Sequence, residues 1–274
     1  MYKNLKSIPV VAALAATAAA NAYAEEKNQN TSDFTLGGNF TLVSDYMFRG
    51  ISVSDRKPAV QGEIDVTHKS GAYFSVWASS VSDAPYNKSS GQEIDVLLGM
   101  KFTPAEDWTL ETGLALYLFP GAQYKSITSD GETIRYDTQE LKLAVNKGIY
   151  NITTWTALNR YWSGIDYNND SQKASTRGTT YIEVNANPQL SDALTLNLHA
   201  GRQFVRNFSN GNFTDYRIGL TLDGAKFNYP GWSATVAAIH NTGNQKAWGF
   251  YYRDGSKARN STGSSVLVSV TKSF

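Results

Sequence analysis

Beyond residue 33, apolar and polar residues alternate with a period of two along nearly the whole chain, and only β-strands present side chains that way. The segments that carry the alternation are Phe34–Val43, Ala59–Thr67, Ala72–Val81, Glu93–Phe102, Trp108–Phe119 and Arg135–Asn146, then Ile149–Arg160, Thr179–Asn187, Leu194–Val205, Thr214–Asp223, Trp232–Asn241 and Ser264–Phe274. Most run to ~9–11 residues, which is the length a tilted strand needs to cross a bilayer. One face of most of them is continuously apolar. Ile94, Val96, Leu98, Met100 and Phe102 share such a face, as do Leu194, Leu196, Leu198 and Ala200. A soluble barrel would turn these faces inward onto a core, whereas a membrane barrel turns them out to lipid.

The connections alternate as well. Short links at 69–71, 103–107, 147–148, 188–193 and 224–231 interleave with longer polar links at 50–58, 82–92, 120–134, 161–178, 206–213 and 242–263. Tight turns at one end and long loops at the other are the habit of an outer-membrane barrel. Phe34, Phe74, Phe102, Trp108, Tyr150, Trp232 and Phe274 all fall beside the short-turn end on the apolar face, where an aromatic girdle would meet the interface. The expectation is all-β: a transmembrane antiparallel β-barrel of twelve strands occupying 34–274. The segment "KAWGFYYR", Lys246–Arg253, is the one place where a further hairpin would change the strand count.

The N-terminus reads as export. Lys3 and Lys6 precede an uncharged run, Ile8–Ala20, and "ANAYA" supplies small residues at Ala22 and Ala24. That predicts a signal peptide over 1–24 and a short segment over 25–33. The chain has no Cys, so disulfides and thiolate metal sites are excluded. A net charge of +1 argues against a nucleic-acid partner, and no later window approaches the ~20 apolar residues of a membrane helix.

The stretches "LVSDYMFRGIS" (Leu42–Ser52), "QGEIDV" (Gln61–Val66) and "YFSVWASSV" (Tyr73–Val81) resemble the N-terminal signature of the TorF-type porins of proteobacteria. The resemblance implies a bacterial outer-membrane location and a channel for small hydrophilic solutes, and it brings no catalytic residues with it. The terminal strand "SSVLVSVTKSF" resembles the signal read by the barrel assembly machinery, although Lys272 interrupts its apolar face. Outer-membrane lipid and lipopolysaccharide are the other expected partners, and basic residues in the long loops, such as Arg56, Lys88 and Lys173, suit lipopolysaccharide head groups.

"EIDV" occurs twice, at Glu63–Val66 and Glu93–Val96. Paired acids serve acid–base chemistry, metal sites and ion pathways. Catalysis would need a second kind of group at matching spacing, and none is present. A metal site would want histidine, and His68, His199 and His240 are scattered. The parity instead turns these acids into the lumen. Extending it gives candidate pore-lining acids Asp45, Glu63, Asp65, Glu93, Asp95, Glu111, Glu140 and Glu183, and bases Arg49, Lys101, Lys142 and Arg217. The excess of acids predicts a weak preference for cations. No cofactor and no enzymatic activity are expected. "HKS" at His68–Ser70 holds a His-x-Ser pair, which reads as a polar turn.

A ring of about eight strands is filled by its own side chains and one of ~16–18 leaves an open channel. Twelve strands therefore predict a narrow bore, open to partial plugging by lumen side chains or an infolded loop. Tyr117, Phe119, Trp155 and Tyr181 fall on the lumen parity and would either fill space or offer a stacking surface for a solute ring. The functional alternative is a non-conducting barrel, an adhesin or envelope-structural protein that works through its long loops.

Overall fold

The computed structural model describes residues 32–126, 128, 131–252 and 254–274. The expected signal peptide lies outside them. The alternating segments form strands β1 (Phe34–Val43), β2 (Ala59–His68), β3 (Ala72–Ser80), β4 (Gln92–Ala105), β5 (Trp108–Leu118) and β6 (Thr138–Lys147). They continue as β7 (Tyr150–Ala157), β8 (Thr180–Ala186), β9 (Leu194–Phe204), β10 (Phe213–Asp223), β11 (Trp232–Asn241) and β12 (Gly263–Ser273). Each pairs antiparallel with the next, and β12 returns to β1 with Leu42 opposite Val270. The ring is a closed twelve-stranded antiparallel barrel. At the seam the Phe274 amide donates to the Gly38 carbonyl at 3.1 Å, and the Gly38 amide returns a bond of 3.2 Å.

Departures from the expected boundaries have local causes. The strand expected from Arg135 begins at Thr138, because Thr133–Arg135 pairs with Gln123–Lys125 in a separate ribbon above the barrel. The one expected to reach Arg160 ends at Ala157: the Asn159 side chain accepts from the Gln139 amide and donates to the Asp137 carbonyl, turning the chain away. Gln245–Trp248 forms a helical turn capped by the Asn244 side chain, so Lys246–Arg253, of which Arg253 lies outside the described residues, adds no strand to the barrel. Among the described residues, no helix is long and apolar enough to cross a membrane.

Tight turns close one end. At 69–71, Gly71 adopts φ +91, and a Cβ there would lie 2.1 Å from the Lys101 carbonyl oxygen, so only glycine fits. At the other end the connections span 44–58, 81–91, 119–137, 158–179, 205–212 and 242–262.

The barrel is inside-out relative to a soluble protein. Leu36 is 70% exposed and Val266 65%, and Leu98, Leu143, Ile152, Val184, Ile218 and Val236 face outward with them. Leaving such side chains in water would forfeit roughly 1.5–3 kcal/mol each, so a soluble barrel is not tenable. Phe34, Phe74, Phe102, Trp108, Tyr150, Trp232 and Phe274 are likewise exposed at the short-turn end. Inside the ring lie polar groups and a cluster of buried aromatics, gathered toward the long-loop end.

Candidate functional site

The connection 44–58 does not stay outside. Met47–Phe48 pairs with Ile51–Ser52 around a two-residue turn, Arg49 at φ 49 and Gly50 at φ 73. Two positive φ values are what a type I′ hairpin needs. Behind the tip, Asp45 accepts from the hydroxyls of Ser52 (2.7 Å) and Ser54 (2.9 Å), and the Ser54 hydroxyl takes the Tyr46 amide at 2.9 Å. These bonds make the loop a compact finger, and it points into the lumen.

Its tip touches strands around the ring. The Arg49 guanidinium forks onto Glu140 of β6, with Nη1 3.1 Å from Oε1 and Nη2 on Oε2, and Nη1 also donates to Gln203 of β9 at 2.8 Å. It lies between the rings of Phe48 and Tyr181 of β8, 4.8 Å and 4.4 Å from their centroids. The Asn241 amide of β11 donates to the Arg49 carbonyl at 2.9 Å. Tyr46 packs on Trp77 of β3 and Phe48 on Tyr117 of β5. Gly50 lies so near the wall that a Cβ on it would fall 2.8 Å from the Asp215 Cβ of β10.

Glu140 is the hub and is 0% exposed. Besides Arg49 it accepts from Trp162 Nε1 at 2.8 Å, and Trp162 meets Trp248 edge-on, so loops 158–179 and 242–262 close over the finger. At this level every strand contributes an inward side chain that is buried, from Val43 on β1 and Trp77 on β3 to Gln203 on β9 and Leu267 on β12. A water-filled bore would leave that wall wet. The long-loop half of the lumen is packed shut.

Below the finger, toward the short turns, the wall is polar and partly accessible. Glu111 takes Lys142 at 2.6 Å and the Tyr73 hydroxyl at 2.7 Å, and Glu63 takes Asn39 at 3.0 Å and Ser75 at 2.7 Å. Glu183 accepts from Trp155 Nε1 at 2.9 Å, and Asp215, buried against the finger tip, reaches down to hold both the Tyr181 hydroxyl (2.9 Å) and His199 Nε2 (2.8 Å).

The twelve candidates thus separate into groups. Arg49 and Glu140 meet at the finger tip, and Asp45 braces its base. Glu93 and Asp95, each 1% exposed, are buried beside it, and Glu93 Oε2 and Asp95 Oδ1 have no hydrogen-bond partner. Glu63, Asp65, Lys101, Glu111, Lys142 and Glu183 line the wall below, with Lys101 4 residues from the end of β4 and 5.2 Å from the Tyr73 ring, and Arg217 sits at mid-height on β10. The two EIDV copies therefore do different things, although Glu63 and Asp95 both sit in register with Trp77. Tyr117, Phe119, Trp155 and Tyr181 are all buried; Phe119 stacks on Tyr86 at 4.0 Å, so in this state these rings fill space.

Sequence reading passed over Gln203, Asp215 and Asn241, although each is a polar residue on the inward parity. It also missed Trp162 and Trp248, which reach the site from loops with no period to read. At His68, Nδ1 lies 2.8 Å from the Ser70 hydroxyl and takes the Ser70 amide at 3.2 Å; Asp33 is 4.0 Å away, beyond hydrogen-bond reach, so the group caps a turn.

The barrel is similar to the solved KdgM porin, with a TM-score of 0.51 at 10% identity, covering 87% of this chain and 99% of the porin. It is similar also to the KdgM porin in complex with disordered oligogalacturonate, at a TM-score of 0.50 and 9% identity over 87% and 98% of the two chains. At such identity the likeness is one of fold. No curated protein matches the sequence. Residues 27–274 match the family described as bacterial proteins of unknown function, Gcw_chp, and the chain belongs to that family.

Proposed function

We propose that this is an outer-membrane, porin-like channel for small hydrophilic solutes, closed in the present state by its first long loop and opened when that loop withdraws. The observation that carries the reading is the finger itself: a polar-walled barrel with an apolar exterior, shut by one hairpin whose hold centres on the Arg49–Glu140 pair. The fold it shares with a porin supports it. So does the resemblance to TorF-type porins, since the quoted "LVSDYMFRGIS" stretch is the finger. The short turns then face the periplasm and the long loops the outside. Lipid and lipopolysaccharide surround the barrel, and the terminal strand is handed to the assembly machinery. The role is passive and non-enzymatic, with no cofactor.

Withdrawal of the finger would bare Glu93 and Asp95, adding to Glu63 and Asp65 on the wall. In a narrow pore an ion stays within a Debye length of the wall, ~8 Å at physiological salt, and a weak cation preference follows. The packed lumen gives the alternative its force, a barrel that never conducts and serves as adhesin or envelope scaffold through its loops. Planar-bilayer recording of the purified chain separates the two. The channel reading expects rare openings that become frequent once Arg49 is replaced; a barrel silent in both forms would overturn it. Replacing Glu63, Asp65, Glu93 and Asp95 by their amides should move the reversal potential in a salt gradient toward anions.

A further inference from the structure

We propose that Arg217, with the row of amides beside it, forms a subsite that binds the carboxylate of a small polyhydroxylated solute at mid-height of the lumen, below the finger. The proposal deepens the channel reading and rests on it for how the solute arrives. Its geometry stands on the wall alone.

Most charged groups on this wall are answered from within, and the two that bond to no side chain, Asp65 and Lys101, are partly or fully exposed. Glu111 has Lys142 and Tyr73, Glu63 has Asn39 and Ser75, Glu183 has Trp155, and Asp215 has Tyr181 and His199. Arg217 differs. Among the described residues no acid lies within ion-pair distance of it, and its Nε is buried with no acceptor. A guanidinium presents five N–H donors in a planar fork and cannot shed its charge. Burying one donor unanswered costs free energy that an incoming carboxylate would recover, and a carboxylate matches the fork with two parallel bonds.

What lies beside the fork adds the second half of the ligand. Arg217 is in direct register with His199 across β9 and β10, and the same row runs through Asn185, Asn151 and Asn146 on β8, β7 and β6. These side chains form one ladder: Asn151 Nδ2 donates to Asn146 at 2.8 Å, Asn185 Nδ2 to Asn151 at 2.9 Å, and His199 Nδ1 lies 2.8 Å from the Asn185 oxygen. Beyond the ladder, Thr153 donates to the Asn151 oxygen at 3.1 Å, Asn185 Nδ2 reaches Glu183 at 3.4 Å and Asn146 Nδ2 reaches the Thr109 carbonyl at 3.4 Å, so each amide keeps only part of its two N–H donors and two lone pairs. What remains is one N–H each on Asn146 and Asn151 and one lone pair each on Asn146 and Asn185, carried on neighbouring strands about 4.8 Å apart. Hydroxyl groups, which both donate and accept, suit such a row, while an apolar solute would strand it. Counting charges made the lumen acidic; asking which buried donor of this wall lacks an acceptor points to a cation.

The test is binding, not conductance. Full-length protein in detergent is titrated calorimetrically with gluconate, with sorbitol, which carries a CH2OH in place of the carboxylate, and with acetate, which lacks the hydroxyls. Gluconate should bind at least about tenfold more tightly than either control, as a charge-assisted pair implies, and its advantage over sorbitol should shrink as salt is raised. Arg217→Gln should reduce gluconate to the sorbitol level, Arg217→Lys should retain part of the difference, and Asn185→Ala should weaken gluconate without changing acetate. Equal binding of gluconate and sorbitol by the unaltered protein overturns the subsite and needs no variant to fold. Unchanged gluconate affinity in Arg217→Gln overturns it too. A barrel that binds gluconate through Arg217 yet conducts in no variant would sustain the subsite and sink the channel reading, so the two failures are distinguishable.

Discussion

Replacing Arg49 by alanine tests the finger most directly. The substitution removes a forked ion pair to a carboxylate that is 0% exposed, a bond to Gln203, and the cation lying between Phe48 and Tyr181. Removing one member of a buried pair costs about 3–5 kcal/mol, because the other charge is left uncompensated. Trp162 would still donate to Glu140, and water can follow the withdrawn side chain, so the lower end of that range applies. Each 1.4 kcal/mol is a factor of ten, so the open-to-closed ratio should rise about a hundredfold. Single-channel open probability in a planar bilayer reads that ratio. Glu140→Gln should also open the channel, since it removes the counter-charge and strands a buried guanidinium. The Arg49→Ala/Glu140→Gln double variant should fall short of the sum by more than 1 kcal/mol, as contacting groups do. If Arg49→Ala keeps the open probability of the unaltered protein, or the two changes add within about 0.5 kcal/mol, the pair is not what holds the finger.

Three other outcomes are expected. Glu93→Gln with Asp95→Asn should leave resistance to denaturant unchanged or raise it, because both acids are buried with an oxygen that nothing bonds; a large loss would mean that they have a partner. Phe274→Ala, or deletion of β12, should leave protein in the periplasm instead of the outer-membrane fraction, since closure depends on the seam to Gly38; normal insertion would count against it. Asp55 is drawn below the usual carboxylate range: burial opposes the shift, but bonds from the Tyr252 hydroxyl, the Arg259 amide and Lys57 outweigh it. Its contribution to holding loop 242–262 is therefore whole above ~3.9, the ordinary aspartate value, and is lost as pH falls through the lower folded value. Pepsin should then cut that loop at the acid end of its range and spare it nearer pH ~4; cleavage equal at both would refute the assignment.

The barrel was legible because every strand carries its own signal. A period of two needs no knowledge of neighbours, and register follows once one face must meet lipid. The finger was not legible for the opposite reason. Residues 44–58 mix polar and apolar residues without a sustained period, and nothing local says whether such a loop bends outward or inward. Arg49 was placed among lumen groups by parity, yet it reaches the lumen from a loop, and its partner Glu140 lies 91 positions away. Parity gave Glu93 and Asp95 the role of Glu63 and Asp65, because alternation reports which side of a strand a residue faces and not what stands opposite. That last fact separates a wet wall from a buried one.

The tip of the finger carries a cost that sharpens the reading of Arg49. A type I′ turn asks for positive φ at both central residues, where Asn-Gly is the favoured pair. Here the first is arginine at φ 49, and a non-glycine residue in that region is disfavoured by about 1–2 kcal/mol. A turn selected only for its shape would carry asparagine. The arginine persists at its position because the guanidinium returns more than the turn loses, which requires the finger to be seated on Glu140. Withdrawn, the same residue keeps the strain and forfeits the pair, so the hairpin should loosen as it leaves. Arg49→Asn separates the two contributions: it eases the turn and abolishes the latch. If the latch dominates, this variant should conduct about as freely as Arg49→Ala despite its better turn. If instead Arg49→Asn stays as closed as the unaltered protein, hairpin shape and aromatic packing hold the lumen shut, and the ion pair is incidental to the gate.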